Sequence, residues 1–545
     1  MKQTPTHRGA DALVRSLSAA GVRRVFALSG NHVMSVFDAA LDAGIELVHT
    51  RHEASAVHMA DAASRITGEV GIALVTGGPG HANAVAALYT AQMAEAPVVL
   101  LSGHAPHAQL GRGAFQEMRQ AEMAAPVCKA AWTCARAEDV AGDIARAVRL
   151  ARSGRPGPVH LSLPTDVLEG PAAIGSPVPA DFEPEAMPLD VNIARRLIDR
   201  LAAAKHPLVL VGPASMTRAA RAAARELEEA TGVPVIGMES PRGVADPGLG
   251  AFAELLARVD CVVLVGKRVD FTLKFGGAFP AATEVHQIDA EPAELERGRA
   301  ALGDRLRTAA QADARSALRS LRACAGGPAP SDWLREARAL VAYRPPAWDG
   351  ARAALPGRLH PVQMLRPLQA VLDSHPDSVL VCDGGEIGQW ATACLQAPHR
   401  VINGVAGSIG AGLPFALAAR FAQPEAPVVA VMGDGTIGFH IAEFDTAVRH
   451  GLAFVVVVGN DARWNAEYQI QLREYGPGRT GGCELLPTRY DAVARAFGAH
   501  GEQVDDAAAM APAVHRALAS AMPACLNVAI EGVPAPVIAR DAVRT

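Results

Sequence analysis

The sequence predicts an α/β protein of three consecutive domains, each a mostly parallel sheet flanked by helices. Short β-branched runs alternate with small-residue turns and helical stretches along 545 residues, a pattern typical of parallel sheets covered on both faces. At ~150 residues per domain, this length corresponds to three to four domains. Two segments rich in Pro and Gly, 175–188 and 326–348, are interpreted as linkers. We therefore expect domains at 1–175, 189–325 and 355–545.

The predicted strands are short apolar runs that end in small or polar residues. In the first block they cover residues 25–29, 45–49, 71–76, 98–102 and 159–164, with a helix at 54–67. In the second block they cover 207–211, 233–237, 261–265 and 285–289, with a helix at 217–231 that Gly232 would end. In the third block they cover 378–382, 428–432 and 454–458.

Composition disfavours several classes of protein. The net charge is −5 and no long basic segment occurs, whereas nucleic-acid binders carry a basic stripe. No apolar run approaches the ~18 residues of a membrane span, and the polar N-terminus lacks the apolar core of a signal peptide. The 8 cysteines form no CxxC pair, so we expect reduced core residues in a cytoplasmic protein.

The most informative segment is the turn from Gly433 to Gly438, which follows a predicted strand and precedes a helix. Glycines at such a turn let main-chain N–H groups approach a phosphate. Asp434 lies in this turn, and Asp461 follows the next strand. A carboxylate beside a diphosphate needs a cation between them, so this pair predicts a Mg²⁺ ion bridging to a diphosphate.

The same turn formally matches GxGxxG, in which Asp461 would hold the ribose of a dinucleotide. This alternative predicts an NAD(P)-dependent oxidoreductase. A third possibility is a catalytically silent nucleotide-binding protein that has kept the fold.

Gly433-Asp434-Gly435 followed by Asn460-Asp461 resembles the thiamine-diphosphate motif of the acetolactate synthase superfamily, which usually ends in Asn-Asn. The resemblance continues in order from about residue 10 to 535, through residues 50–56, 114–118, 125–129, 154–159 and 407–412. Within the superfamily the chain is most similar to benzaldehyde lyase, 2-hydroxyacyl-CoA lyase and acetolactate-synthase-like proteins. The resemblance implies the thiamine-diphosphate-binding fold, with thiamine diphosphate and Mg²⁺ as cofactors.

The resemblance also implies roles for residues of the third block. The metal ligands would be Asp434, Asp461 and the main-chain carbonyl of Arg463, with Asn460 as an alternative to Asp461. The diphosphate would lie against Gly385, Glu386, Gly435 and Thr436, with only the main-chain N–H of Glu386 facing it. Ile409 would hold the cofactor folded, and the carbonyl of Gly407 would accept from its 4′-amino group. Benzaldehyde lyase has a Tyr and a second His near the cofactor, and these positions are Gly388 and Asn403 here, so Asn403 would lie near the cofactor and cleavage of benzaldehyde adducts is not expected.

In the first block, Glu53 would be the carboxylic partner of the aminopyrimidine. Asn31 and His32 match a loop that faces the substrate in benzaldehyde lyase, and His32 could relay a proton or bind the substrate carbonyl. Gln116 could bind the same oxygen. We interpret His52, His58 and His81 as packing or surface histidines, since their spacing does not suggest a zinc site.

The implied activity is to make or break a carbon–carbon bond next to a carbonyl of a small molecule. Donors would be 2-oxo acids, 2-hydroxy ketones or 2-hydroxyacyl-CoA, and the alternative within the class is an oxalyl-CoA-type decarboxylase. The glutamate and the metal site come from different subunits in this superfamily, which implies a homodimer or homotetramer. Related central domains hold FAD, ADP or nothing. Here Arg155 and Arg268 are candidates for nucleotide contacts or for interdomain ion pairs.

Overall fold

The computed structural model describes residues 7–172, 177–327 and 331–540. It forms two compact units, Met1–Ala186 and Met187–Thr545. The predicted linker at 175–188 lies partly outside the described residues, since its first two positions are not among them. Among the described residues, no helix combines the length and the apolar character needed to cross a membrane.

The N-terminal unit is built on a six-stranded parallel sheet of order β3-β2-β4-β5-β7-β6, with a small antiparallel ribbon of β1 and β8. Its strands are β1 (His7–Arg8), β2 (Arg24–Ala27), β3 (Glu46–His49), β4 (Gly71–Val75), β5 (Val98–His104), β6 (Ala130–Thr133), β7 (Val159–Pro164) and β8 (Pro171–Ala172). Its helices are α1 (Gly9–Ala19), α2 (Met34–Ala43), α3 (Glu53–Thr67), α4 (Pro79–Met93), α5 (Gln120–Ala124), α6 (Val140–Arg152) and α7 (Thr165–Glu169). The central strands β4, β5 and β7 are buried along their whole length, as expected for a sheet covered on both faces.

The second unit begins with a five-stranded parallel sheet of order β10-β9-β11-β12-β13. Its strands are β9 (Pro207–Val211), β10 (Val235–Gly237), β11 (Cys261–Val265), β12 (Glu284–Asp289) and β13 (Leu306–Gln311). Its helices are α8 (Val191–Ala203), α9 (Arg218–Thr231), α10 (Phe252–Leu256), α11 (Pro292–Leu302), α12 (Ala314–Cys324) and α13 (Asp332–Ala342). Helix α9 starts after a Thr217 cap and ends at Gly232 with a φ of 66°, as its sequence predicted.

Helix α13 corrects the prediction of a loose segment over residues 326–348. Ser331 caps this helix by accepting from the N–H of Leu334, and the buried face carries Trp333, Ala337 and Leu340. The indole N–H of Trp333 donates to the carbonyl of Pro207 at 2.8 Å. The surrounding Pro and Gly residues obscured this helical spacing of apolar residues in the sequence.

The remaining chain forms a second six-stranded parallel sheet, of order β15-β14-β16-β17-β19-β18. Its strands are β14 (Val379–Cys382), β15 (His399–Ile402), β16 (Val428–Gly433), β17 (Phe454–Asn460), β18 (His500–Val504) and β19 (Pro523–Ala529). Its helices are α14 (Pro361–Asp373), α15 (Gly385–Cys394), α16 (Gly412–Ala422), α17 (Asp434–His440), α18 (Glu443–Arg449), α19 (Asn465–Tyr475), α20 (Tyr490–Ala496) and α21 (Ala507–Ala519).

The two six-stranded sheets share one topology. Counting strands along each sheet's own sequence, both have the order 2-1-3-4-6-5. In each sheet, successive strands are added first to one side of the first strand and then to the other. The order therefore reverses between the first and third strands, which are β2 and β4 in one sheet and β14 and β16 in the other. In open α/β sheets, ligands bind beyond the carboxyl ends of the strands at such a switch point. The fold therefore directs attention to the residues that follow these four strands.

Candidate functional site

A cavity of about 230 Å³ lies beyond the carboxyl ends of β14 and β16. It is formed by the second unit, and nearly every residue that the sequence marked for cofactor or metal binding lines it. These residues are Gly385, Glu386, Asn403, Gly407, Ile409, Asp434, Gly435, Thr436, Asp461 and Arg463. The turn after β14 supplies one wall, and the turns after β16 and β17 supply the other.

The acid pair Asp434 and Asp461 meets in this cavity because β16 and β17 are neighbours, with Gly433 opposite Gly459. The two carboxyl groups lie within hydrogen-bonding reach of each other, and the N–H of Arg463 donates to Oδ2 of Asp434 at 3.1 Å. Burial raises the pKa of Asp434 to about 6. Burial and the nearby Asp434 charge raise the pKa of Asp461 to about 7.

This donor set fits a magnesium ion. Two carboxylates in contact and shielded from water repel each other when both are ionised, and a divalent cation between them removes that repulsion. Mg²⁺ commonly takes one or two carboxylates and completes its octahedron with waters and phosphate oxygens. No group of three or more His, Cys, Asp or Glu side chains in the described ranges could hold a metal by itself. A ligand oxygen would therefore have to share in the coordination.

Asn460, the alternative ligand, directs its side chain elsewhere. Its Nδ2 donates to the carbonyl of Thr488 at 2.9 Å and to Oδ1 of Asn527 at 3.1 Å. Its Oδ1 accepts from the N–H of Ala462 at 3.2 Å. Ala462 has a φ of 58°, a left-handed conformation that is uncommon for alanine. Asn460 is absent from the cavity lining, whereas Asp461 is part of it.

The turns after β14 and β16 carry the glycines that are expected to face a diphosphate. Gly385 begins α15 with a φ of 80°, and Glu386 follows it in the first turn. The Glu386 carboxylate accepts from the N–H of Ala535 at 2.8 Å and lies 3.4 Å from Arg242. A Cβ atom on Gly435 would lie 2.7 Å from the Trp464 ring, so a larger residue would not fit there.

Thr436 and Ile409 also line the cavity in defined positions. The Thr436 hydroxyl lies 3.1 Å from both the N–H and the carbonyl of Gly433, so it braces the start of α17. Ile409 packs over the turn after β14, where a Cβ atom on Gly384 would lie 2.5 Å from its Cγ2. The same Cβ atom would lie 2.9 Å from Nδ2 of Asn403. A glycine at 384 thus allows Ile409 and Asn403 to lie against the main chain.

The sequence interpretation missed Asp383, which lies between β14 and these glycines. Its buried carboxylate accepts hydrogen bonds from the N–H groups of Gly384, Gly410 and Gly412. The signal available in the sequence was the run Asp383-Gly384-Gly385 directly after a strand, which parallels Gly433-Asp434-Gly435.

In the N-terminal unit, Glu53 is the first residue of α3, and its carboxylate accepts from Nδ2 of Asn83 at 3.0 Å. A Cβ atom on Gly80 would lie 3.3 Å from Oε1 of Glu53, so this glycine leaves the carboxyl group room. Asn83 on α4 is a second residue that the sequence interpretation missed. Its signal was the Gly-Pro-Gly turn at 78–80 that begins α4.

His32 and Gln116 lie around the same turn between β4 and α4. Nδ1 of the buried His32 is 3.1 Å from the Thr76 hydroxyl, and burial lowers the pKa of His32. Gln116 has a φ of 58°, and a Cβ atom on Gly78 would lie 2.7 Å from its Cβ. Asn31 is exposed, in the short turn that also contains His32. The structure thus brings His32 and Gln116 to the turn that also borders Glu53, while Asn31 stays on the surface of this unit.

Arg155 and Arg268, the candidates for nucleotide contacts or interdomain ion pairs, each form an ion pair inside their own sheet domain. The buried Arg155 pairs with the buried Glu95 in the N-terminal unit. Arg268 lies 3.3 Å from Glu294 on α11, within the five-stranded sheet domain. Both guanidinium groups therefore already contact a carboxylate.

Three family models match the chain in order. The N-terminal TPP-binding domain of thiamine pyrophosphate enzymes matches residues 7–123, the central domain matches 194–321, and the C-terminal TPP-binding domain matches 383–528. The last of these begins directly after β14 and contains the Asp434 turn. It therefore supports the diphosphate interpretation of that turn over the dinucleotide one.

Curated relatives match along almost the whole chain. The acetolactate synthase large subunit IlvG of Mycobacterium tuberculosis is 34% identical over 535 residues, covering 95% of this chain and 94% of the relative. The 2-hydroxyacyl-CoA lyase 2 of Homo sapiens is 32% identical over 544 residues, covering 90% and 84%. The acetolactate synthase large subunit of Parasynechococcus marenigrum is 30% identical over 548 residues, covering 95% and 86%.

Fold, site and relatives together define a class: this chain belongs to the thiamine pyrophosphate enzyme family. It is a thiamine-diphosphate-dependent enzyme of the carbon–carbon lyase and carboligase type, similar to acetolactate synthases and 2-hydroxyacyl-CoA lyases.

Proposed function

We propose that the cavity binds the diphosphate of thiamine diphosphate through a Mg²⁺ ion held by Asp434, Asp461 and the main-chain carbonyl of Arg463. The observation that carries this proposal is the contact between the buried carboxyl group of Asp434 and the partly buried one of Asp461 at the edge of the cavity. The Asn460 side chain is hydrogen-bonded to Thr488 and Asn527, so we assign Asp461 rather than Asn460 as the second side-chain ligand of the metal.

The glycine turns and the wall around Ile409 would receive the rest of the cofactor. We assign the diphosphate to the main chain of Gly385 and Glu386, to Gly435 and to the Thr436 hydroxyl. Only the Glu386 main chain would take part, because its carboxylate is directed to Ala535 and Arg242. The rings would fold over Ile409, with the Gly407 carbonyl and Asn403 beside them.

When bound, thiamine diphosphate supplies a nucleophilic carbon that adds to a substrate carbonyl. We assign this chain's Glu53 to hold a proton at its carboxyl group against the aminopyrimidine, with Asn83 fixing the orientation of that group. His32 and Gln116 would donate hydrogen bonds to the substrate carbonyl, and Asn31 would lie at the substrate entrance. His32 suits a neutral donor because burial lowers its pKa.

We propose a 2-oxo acid, 2-hydroxy ketone or 2-hydroxyacyl-CoA as the donor, since the relatives are named acetolactate synthase and 2-hydroxyacyl-CoA lyase. A donor panel with product analysis tests this. The parent enzyme is supplied in turn with pyruvate, benzoin, a 2-hydroxyacyl-CoA and oxalyl-CoA, and the Glu53→Gln variant is assayed in the same way as the control. Carbon–carbon cleavage or ligation of one of the first three donors, lost in the variant, supports the proposal. Turnover of oxalyl-CoA alone would instead assign the alternative decarboxylase.

We propose a homodimer or homotetramer in which Glu53 of one chain serves the metal site of another, as the family resemblance implies. Glu53→Gln and Asp434→Asn chains, each inactive alone, test this when they are co-expressed. A shared site restores about a quarter of parental activity, since half of randomly mixed dimers are hybrids with one of two sites intact. Activity that stays absent in the mixture, at a dimer mass confirmed by light scattering, contradicts the shared site.

Two further assignments accompany this proposal. The domains would span 1–175, 189–325 and 355–545. A cytoplasmic location is supported by the eight free cysteines, six of them buried. Whether the central domain binds FAD, ADP or neither is left open. Mass spectrometry of small molecules released from the purified protein would identify either nucleotide.

A further inference from the structure

Asp383 follows β14, and its buried carboxylate accepts hydrogen bonds from three glycine N–H groups. The N–H of Gly410 lies 3.0 Å from Oδ1 and 3.1 Å from Oδ2, and the N–H of Gly412 lies 3.0 Å from Oδ2. The N–H of Gly384 lies 2.6 Å from Oδ1. Charge-assisted hydrogen bonds of this kind are about twice as strong as neutral ones.

The hydrogen bonds that Asp383 accepts from Gly410 and Gly412 hold the C-terminal half of a short loop, residues 407–412, that carries two predicted cofactor contacts. Gly407 and Gly410 have φ values of 67° and 89°, so the loop has a left-handed conformation on either side of Ile409. Gly412 is the first residue of α16, so the carboxylate also caps that helix. On the other side, a Cβ atom on Gly410 would lie 2.5 Å from Cβ of Phe439, so α17 closes the loop in.

We propose that Asp383 is a positioning residue that presents Ile409 and the Gly407 carbonyl to the cavity before the cofactor binds. The inference rests on the proposed function, because it takes the bound molecule to be thiamine diphosphate. Presenting the loop in its bound conformation removes an ordering cost from binding, so the effect belongs to cofactor affinity. Asp383 itself does not line the cavity, whereas Ile409 and Gly407 do.

The substitution Asp383→Asn tests this, because an amide offers one acceptor oxygen where the carboxylate offers two. Asp246→Asn is the matched control: Asp246 is 3% exposed, accepts from the N–H of Gly248 at 2.9 Å and lies outside the cavity lining. Titration with thiamine diphosphate at saturating Mg²⁺ is expected to show an affinity about tenfold weaker for Asp383→Asn and within about twofold of the parent for Asp246→Asn. Equal affinities for both variants overturn the proposal.

A measurement on the unsubstituted protein keeps the test valid if Asp383→Asn fails to fold. In the cofactor-free parent, the amide hydrogens of Gly410 and Gly412 should exchange slowly, like those of the buried strand β14. Fast exchange there, slowing only when thiamine diphosphate is added, would show that the cofactor and not Asp383 orders the loop. If the parent binds no thiamine diphosphate while these amides are protected, the proposed function fails and the loop restraint stands.

Discussion

The carboxyl groups of Asp434 and Asp461 set the charge of the candidate metal site. Where the family motif usually has Asn, this chain has Asp461, which places one more negative charge beside the cation. The extra charge attracts Mg²⁺ and repels the diphosphate, so the two effects act on different ligands and can be measured separately. Asn460 has a different role, since its amide braces β17 against β19 through Asn527.

Asp461→Asn is therefore expected to weaken Mg²⁺ binding by about tenfold, or ~1.4 kcal/mol, while thiamine diphosphate still binds at saturating Mg²⁺. Mg²⁺ titration in the presence of the cofactor measures this. Asn460→Ala serves as the neighbouring control and should leave Mg²⁺ affinity within about twofold while lowering the unfolding temperature through its lost hydrogen bonds. A larger loss of Mg²⁺ affinity in Asn460→Ala than in Asp461→Asn would reverse our ligand assignment.

At the level of residues, sequence spacing predicted Asp434 and Asp461 as metal ligands and kept Asn460 as an alternative to Asp461. The direction of each side chain depends on the left-handed Ala462 and on Asn527, 67 residues further on, which spacing cannot reveal. Asp383 was missed for a similar reason, because its partners Gly410 and Gly412 lie 27 and 29 residues away.

Among the elements, the turn between β4 and α4 packs against His32 and Gln116, the candidate substrate-facing residues of the N-terminal unit. Gly78 has a φ of 58° and a main chain in contact with Gln116, so Gly78→Ala adds both strain and a clash. We expect a loss of unfolding free energy of about 1–3 kcal/mol. Gly142→Ala in α6 meets no atom within 4 Å and should stabilise by about 0.5–1 kcal/mol. Denaturant unfolding compares the two, and equal effects would contradict the account of this turn.

A histidine pair packed among α4, β5 and β7 should make the N-terminal unit sensitive to acid. The rings of His81 and His160 are 4.5 Å apart. Burial lowers the pKa of His81 to about 4 and lowers the pKa of His160 well below its ordinary value. Because the unfolded chain takes up protons from about pH 6.5 downwards while these folded histidines stay neutral, stability falls as the pH drops below that value.

Lowering the pH from 7 to 5 should reduce the free energy of unfolding by about 2 kcal/mol for each of these histidines. Replacing His160 with Leu should reduce the pH dependence over this range, since one of the two groups is removed. Unfolding of parent and His160→Leu at both pH values measures the difference. An unchanged pH dependence in the variant would show that this histidine does not contribute.

The elements were largely predictable because most strands are apolar runs bounded by small residues. Strands β7, β9 and β11 match the prediction residue for residue, and the other predicted strands overlap the observed ones with small shifts at their ends. Strands β6, β13, β15, β18 and β19 were not predicted. Helix α13 was predicted as a loose segment, because its Pro- and Gly-rich surroundings dominate the local composition. The burial of its three core-facing residues depends on a long-range contact, in which Trp333 donates to Pro207 at the start of β9.

For the whole molecule, the recurrence of one strand order in two sheets explains where the chemistry-bearing residues lie. Both sheets have a switch point. In one unit Asp383 and Asp434 follow the two strands beside it, and in the other unit His32 and Thr76 do so, while Glu53 follows the neighbouring strand β3. Alternating strands and helices predicted parallel sheets, but strand order arises from long-range pairing and was not readable from the sequence. The relation between the first and third blocks therefore became visible only in the structure.

The central claim is that Asp434 holds Mg²⁺ for thiamine diphosphate in the cavity beyond β14 and β16. Calorimetric titration of the cofactor-free protein with thiamine diphosphate, with Mg²⁺ or with a chelator, tests it directly. Asp349→Asn, at an exposed side chain outside the cavity lining, is the control for Asp434→Asn. The account predicts saturable binding by the parent and Asp349→Asn only with Mg²⁺, and none by Asp434→Asn. Equal binding by Asp434→Asn, or binding by the parent that persists with the chelator, would contradict it.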